Sequence, residues 1–233
     1  MVAPHYWLVR PAAGSGERMQ AARDGLPKQY LTIAGRTVLE HALAPFLADR
    51  NCAGIVVALK AGDARFAQLP CARDPRVATV AGGAKRADSV RAGLEAIART
   101  VGAEDPWVLV HDAARPCLPG RDLEALLDAL ADAPAGALLG LPIADTVKRA
   151  DGDGHVLGTL PREGLWRAAT PQAFRLRRLI VALAPALEAT DESSAIEALG
   201  DRPRLVAGSA ANLKLTTDAD LELAHRLLEG ESA

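Results

Sequence analysis

Gly54-Ile55-Val56-Val57-Ala58-Leu59 and Trp107-Val108-Leu109-Val110 are near-continuous apolar runs, the second leading into His111-Asp112. A strand with one face in water alternates apolar and polar residues. Runs without alternation fit strands covered on both faces, as in a parallel sheet under crossover helices. Working outward, further short strands are expected at residues 7–9, 77–80, 137–141 and 204–206. Helical stripes lie between most of them: Val90, Leu94, Ile97 and Val101 in one, Leu123, Leu126, Leu127 and Leu130 in another. After Thr217, Asp218 and Asp220 sit at the positive end of a terminal helix with Leu221, Ala224 and Leu228 on one face. The alternation implies an α/β fold with a mostly parallel twisted sheet and helices on both faces.

The 233 residues can bury a sizeable core without disulfides. No repeat, low-complexity tract or linker interrupts them, so one domain spanning 1–233 is expected. Its one departure is a β arm at about 143–163, where Asp151-Gly152-Asp153-Gly154 supplies hairpin turn chemistry between β-prone flanks. Hydrophobic residues at 49% and charged residues at 24% describe a chain that folds. A net charge of −2 gives no global pull toward nucleic acid or anionic membrane, so phosphate recognition has to come from local Arg and Lys. Only 3% of residues are aromatic and 48 are alanine, which suits helices packed on a sheet better than base-stacking platforms. Cys52, Cys71 and Cys117 lack any ligand spacing and read as three buried, reduced thiols. With no long apolar span and no secretory pattern at the N-terminus, the expected address is cytoplasmic.

Pro11-Ala12-Ala13-Gly14-Ser15-Gly16-Glu17-Arg18-Met19 follows the first strand, and its small residues let backbone N–H groups approach a phosphate that Arg18 can also reach. The stretch is neither a Walker A loop nor a full dinucleotide fingerprint, because Lys-Ser/Thr is missing and Met19 stands at the third glycine. On its own it is equally a tight turn with a solvated arginine. Lys28, in Pro27-Lys28-Gln29-Tyr30-Leu31, is one of only five lysines, and reads either as a surface charge or as a triphosphate ligand. Asp112 follows the strand Trp107–Val110, at the edge where open α/β sheets place ligands. One carboxylate there can hold Mg²⁺ jointly with phosphate oxygens. The plainer alternative is a turn aspartate paired with Arg115. Asp145-Thr146-Val147-Lys148-Arg149, Thr170-Pro171-Gln172, Thr190-Asp191-Glu192-Ser193 and Asn212-Leu213-Lys214-Leu215-Thr216 read singly as a hairpin start, a turn, a helix N-cap and an edge strand.

Taken in order, PAAGSGERM, PKQYL, GGAKRADSV, VHDAARP, PIADTVKR, ATPQAF, TDESSA and NLKLT resemble the 2-C-methyl-D-erythritol 4-phosphate cytidylyltransferase family over nearly the whole chain. The resemblance implies a Rossmann-like nucleotidyltransferase fold and a homodimer with exchanged β arms. It also implies joining of CTP to methylerythritol phosphate with release of pyrophosphate, with Mg²⁺ or another divalent metal. It makes Arg18, Lys28 and Lys214 catalytic cations and Asp112 the metal ligand. Ala12, Ala13, Gly14, Gly16, Gly83, Ser89, Asp112 and Ala113 become nucleotide contacts, and Arg115, Thr146, Arg162, Thr170 and Thr190 acceptor contacts, Thr146 and Arg162 reaching the neighbouring subunit's site. Arg10 departs from the family's apolar strand position, Ala84 from an acidic one, and the stretch between Met19 and Pro27 is longer. The chain's end at Ala233 is read as leaving no fused cyclodiphosphate synthase domain.

That reaction needs cations rather than a base. The acceptor's phosphate monoester is mostly dianionic at neutral pH, and the obstacle is anion approaching anion. Three rivals keep parts of this reading: a sister cytidylyltransferase using ribitol 5-phosphate, a CTP-binding regulatory module without turnover, and an NAD-dependent oxidoreductase. Met19 and the lack of a ribose-binding acid disfavour the last.

Overall fold

The computed structural model describes residues 3–14, 26–184 and 189–230. In chain order the strands are β1 (Tyr6–Ala12), β2 (Thr32–Ile33), β3 (Arg36–Thr37), β4 (Cys52–Leu59), β5 (Val77–Ala81), β6 (Trp107–Val110), β7 (Ala137–Pro142), β8 (Val147–Ala150), β9 (Val156–Leu160), β10 (Trp166–Arg175) and β11 (Arg204–Ala207). The helices are α1 (Val38–Ala48), α2 (Arg86–Val101), α3 (Gly120–Ala129), α4 (Leu176–Ala182), α5 (Glu192–Glu197) and α6 (Asp218–Gly230).

The two apolar runs become neighbours of β1 on either side. Leu8 lies opposite both Ile55 and Leu109, and Val9 opposite both Val56 and Val110. The main sheet has seven strands in the order β11-β7-β10-β6-β1-β4-β5. All pairs are parallel except those of β10, which runs antiparallel to β6 and β7. The absence of alternation has the expected cause, since both faces are covered. On one, Leu39, Leu43 and Phe46 of α1 and Leu126 of α3 pack on Tyr6, Leu8, Ile55 and Leu109. On the other, Val90, Leu94 and Ile97 of α2, with Leu179 of α4 and Ile196 of α5, pack on Val9, Val56, Val108 and Phe174. A third cluster seats α6 through Ala224 and Leu228 beside Leu31, Ile33 and Leu215. Thr37 starts α1 with a capping box, its hydroxyl accepting from the Glu40 N–H while Glu40 accepts from the Thr37 N–H.

The fold is α/β with a mostly parallel sheet, and four local expectations are corrected. Thr170-Pro171-Gln172 is not a turn but the middle of β10. Pairing with β7 lapses between Ala168 and Gln172, and the proline, which has no N–H to give, sits in that gap. Residues 212–216 form a loop rather than an edge strand, the sheet's edges being β5 and β11. Pro11 and Ala12 belong to β1, paired with Ala58 and Leu59 beyond the point where β6 stops pairing at Val9. Cys71 is only half-buried, unlike Cys52 and Cys117.

Arg10 is fully buried. Its guanidinium donates to the carbonyls of His111 at 3.2 Å and Asp112 at 2.7 Å, and to that of Ala42, and lies 5.6 Å from the Phe46 ring centre. Backbone carbonyls and an aromatic face replace the water that burial removes.

The arm is a separate two-stranded ribbon of β8 and β9. It carries Val156 and Leu157 at 64% and 59% exposure. No helix among the described residues is long and apolar enough to cross a membrane.

Candidate active site

Because β1, β5 and β6 run the same way, the segments after them meet at one edge of the sheet. Residues 11–14, Gly83 and Ala84 in the turn before α2 and the Asp112-Ala113-Ala114 segment line a cleft of about 170 Å³. Lys28 and Gln29 enter from the 3₁₀ turn Lys28–Tyr30, and Lys214 from the loop before α6. A larger groove of about 1110 Å³ lies elsewhere, between α1, α3 and Leu228, and holds none of these groups.

Local sequence explains how the backbone comes so close to the cleft. A Cβ on Gly82 would lie 2.6 Å from that of Ala13 and 2.7 Å from Ser89 Oγ, so only glycine lets the β5 turn close against the β1 loop. The Ser89 hydroxyl accepts from the Gly83 N–H at 3.2 Å, and the Asp88 carboxylate from the Lys85 N–H at 3.2 Å, fixing the turn onto α2. On the opposite wall, Gln29 Nε2 donates to the Ala12 carbonyl at 2.9 Å and Lys28 Nζ to the Leu215 carbonyl at 3.1 Å. Leu215 N–H in turn reaches the Ala114 carbonyl at 2.8 Å, tying the Lys214 loop to the Asp112 segment.

The Arg115 N–H donates to the Asp112 carbonyl at 3.1 Å, closing a turn, but the Asp112 carboxylate does not pair with the Arg115 side chain. Its Oδ1 accepts from Arg86 Nε at 2.9 Å and its Oδ2 pairs with Lys214 Nζ at 2.7 Å. Burial alone would raise the Asp112 carboxyl; Arg86 and then Lys214 outweigh it and hold the group well below the usual carboxylate range. Arg86 is shared, its two terminal nitrogens donating to Glu192 at 2.6 and 2.9 Å. Glu192 is fully buried. Burial raises its carboxyl and the Arg86 charge opposes that rise.

Beneath the cleft, the Asp112 N–H donates to Thr170 Oγ1 at 3.1 Å, and Thr170 Oγ1 lies 2.9 Å from His111 Nδ1. His111 Nε2 faces the Arg115 carbonyl at 3.2 Å. A carbonyl only accepts, so Nε2 carries the proton and Nδ1 accepts from the threonine hydroxyl. Burial, and next the Arg10 charge, push His111 well below its ordinary value, consistent with a neutral ring.

Among the residues singled out from sequence, Ala12, Ala13, Gly14, Lys28, Gly83, Ser89, Asp112, Ala113 and Lys214 all line the cleft. Gly16 and Arg18 lie outside the described residues. Thr170 is buried under the cleft with its hydroxyl engaged internally. Arg115 donates to the Asn212 carbonyl at 2.6 Å and Thr190 flanks the start of α5, neither reaching the lining. Thr146 and Arg162 are exposed at the arm, Arg162 donating to the Ala144 carbonyl. Sequence reasoning missed Arg86, Lys85 and Gln29 in the lining and Glu192 behind it. Arg86 and Glu192 stood inside quoted blocks, GGAKRADSV and TDESSA, without a signal that they meet across 106 residues.

Asp112 is the sole carboxylate among the described lining residues, and each of its oxygens carries one hydrogen bond, leaving a lone pair on each. It is a hard, ionised donor of the kind magnesium takes singly alongside phosphate oxygens.

A family model for 2-C-methyl-D-erythritol 4-phosphate cytidylyltransferase matches residues 6–230. A protein of that name from Ectopseudomonas mendocina is 52% identical over 220 residues, covering 93% of this chain and 92% of the relative. A crystal structure described as 4-diphosphocytidyl-2C-methyl-D-erythritol synthase superposes with a TM-score of 0.84 at 39% identity, over 97% of this chain and 99% of the other. That of the 2-C-methyl-D-erythritol 4-phosphate cytidylyltransferase from Thermus thermophilus gives 0.78 at 34% identity, over 97% and 99%.

Proposed function

The chain belongs to the 2-C-methyl-D-erythritol 4-phosphate cytidylyltransferase family, and from that premise we propose how its own residues carry the reaction. The enzyme joins CTP to 2-C-methyl-D-erythritol 4-phosphate, giving 4-diphosphocytidyl-2-C-methyl-D-erythritol and pyrophosphate in isoprenoid precursor synthesis. An oxygen of the acceptor phosphate bonds to the α-phosphorus of CTP as the bond to the β-phosphate oxygen breaks, so no proton has to be removed from the nucleophile. The observation that carries the assignment is one ionised carboxylate, Asp112, paired with Lys214 and Arg86 in a glycine-walled cleft that Lys28 also lines.

The small residues Ala12, Ala13, Gly14 and Gly83 bring backbone against the nucleotide, with Ser89 and Ala113 beside them. Lys28 and Lys214 offset charge gathering on the phosphates and on departing pyrophosphate, and Arg18 joins them on the strength of the family resemblance. Asp112 would hold Mg²⁺, which when bound neutralises phosphate charge. Arg115, Thr170 and Thr190 surround this edge as the acceptor side, Thr170 acting through the hydrogen bond that sets the Asp112 amide.

The exposed apolar side chains of the ribbon support a homodimer in which the arm, at about 143–163 of a single domain, lies on a second copy. Thr146 and Arg162 then contribute to the partner's acceptor site. Three free cysteines fit a reducing, cytoplasmic compartment.

The direct test is the four nucleoside triphosphates assayed with methylerythritol phosphate and with ribitol 5-phosphate, scored by released pyrophosphate. CTP with methylerythritol phosphate and a divalent cation should give the only rapid release; preference for ribitol 5-phosphate would transfer the protein to the sister activity. For the shared site, Lys28→Ala and Arg162→Ala chains should each be weak alone and regain activity when mixed and allowed to exchange subunits. Verified exchange without recovery would show that arm and cleft work within one chain.

A further inference from the structure

Arg86 is claimed by two carboxylates, and they take different edges of it. Glu192, the first residue of α5, binds the two terminal nitrogens at 2.6 and 2.9 Å, leaving Nε for Asp112 at 2.9 Å. A guanidinium free to choose prefers a two-pronged grip on a carboxylate. Released from Glu192, Arg86 would turn that grip on Asp112, cover both its oxygens and displace Lys214, which holds Oδ2 at 2.7 Å.

Glu192 itself is held firmly. It has no exposed surface, and the turn before it is pinned by Asp191, whose carboxylate accepts from the Ser194 N–H at 2.9 Å and from Gln172 Nε2 at 2.9 Å. The Ser193 N–H returns to Gln172 Oε1 at 2.8 Å, so α5 is fastened to β10 on both sides of Glu192. A fully buried acid with, among the described residues, a single cationic partner is costly to fold, and stability alone would be served as well by an apolar pair of the same shape. The expense coincides with a group that lines the cleft.

We infer that Glu192 is a positioning residue for the transferase reaction: by gripping the far edge of Arg86 it restricts that arginine to a single bond with Asp112 and so keeps Asp112 Oδ2 and Lys214 aligned in the cleft. Glu192 touches no substrate. Its effect runs through Arg86, 106 residues away in sequence, and rests on the proposed roles of Asp112 and Lys214.

Steady-state kinetics on the full-length variants test this. Glu192→Gln, isosteric but uncharged, should remain folded with CTP KM within about threefold of wild type and kcat lowered about 10²-fold, the scale of a small misplacement of reacting groups. Glu192→Asp, which keeps the charge on a shorter stem, should recover part of that loss, staying about 10-fold down. In an Arg86→Met background, Glu192→Gln should bring no further fall in kcat and should raise the melting temperature, because it removes an unpaired buried acid.

A wild-type kcat in Glu192→Gln overturns the inference, as does an equal fractional loss with and without Arg86. If Glu192→Gln does not fold, Glu192→Asp decides: folded protein turning over at the wild-type rate rejects the role. Failure of the unmodified enzyme to release pyrophosphate from CTP and methylerythritol phosphate would instead sink the assigned reaction, so the two failures are distinct.

Discussion

Lys214→Met is expected to give a folded protein whose turnover falls about 10²–10³-fold, the range seen when one preorganised charge-stabilising donor is removed. The fold should survive because the loop is anchored by its neighbours. Asn212 Nδ2 donates to the Thr170 carbonyl at 2.8 Å, Leu215 is fully buried, and the Leu215 N–H bonds to Ala114. Methionine keeps the apolar stem of a side chain that is 44% exposed, so little packing is lost. The loss should fall mainly on kcat, since the charge matters most when negative charge peaks. Pyrophosphate release near the wild-type rate, with CTP saturating, would take Lys214 out of the mechanism.

The second large effect is Asp112→Asn. Asparagine fills the same space but presents an N–H₂ group to one of two cations and has no charge for either. Turnover should fall by at least about 10². Stability should fall as well, by about 1–3 kcal/mol, because the cations it leaves are 31% and 44% exposed and partly recover water. The pH dependence has a definite sign. The folded carboxyl lies below its unfolded value, so its stabilisation is complete above the ordinary aspartate pKa of about 4 and declines as pH falls through the folded value. Urea unfolding of wild type and Asp112→Asn should therefore differ most near neutrality and converge in strong acid; a gap that widens with acid would contradict the ion-pair account.

Much of this architecture is legible in the sequence because it rests on short-range pattern. Uninterrupted apolar runs give buried parallel strands, and the stripe Val90, Leu94, Ile97 points α2 at the sheet as expected. What escaped reading depends on long-range pairing. β10 reads as a turn because Thr170-Pro171 dominates it locally, and only the strands on either side show that a lapse in pairing can hold a proline. Arg10 breaks the apolar pattern of β1, and nothing nearby in sequence announces the carbonyls of Ala42, His111 and Asp112 that receive it. Asp112 is readable from its strand end, whereas its carboxylate's partners, Arg86 and Lys214, lie in separate blocks and local sequence offers only Arg115 as a neighbouring cation. Composition offers no signal for such meetings, since arginine and glutamate are at home on any surface.

The central position of β10 has a consequence for how the protein is made. Strands β1, β4, β5 and β6 can pair with one another once residue 110 has left the ribosome, but β7, though synthesised next, can join them only through a strand that ends at Arg175. Until then the two strand edges that β10 will close, one on β6 and one on β7, stay unmatched in the nascent chain, at a stage when such edges invite misassociation. The Asp112 cluster waits longer still, for Glu192 and then Lys214. Elongation slowed after residue 142 prolongs that exposed interval, and slowing after residue 175 does not.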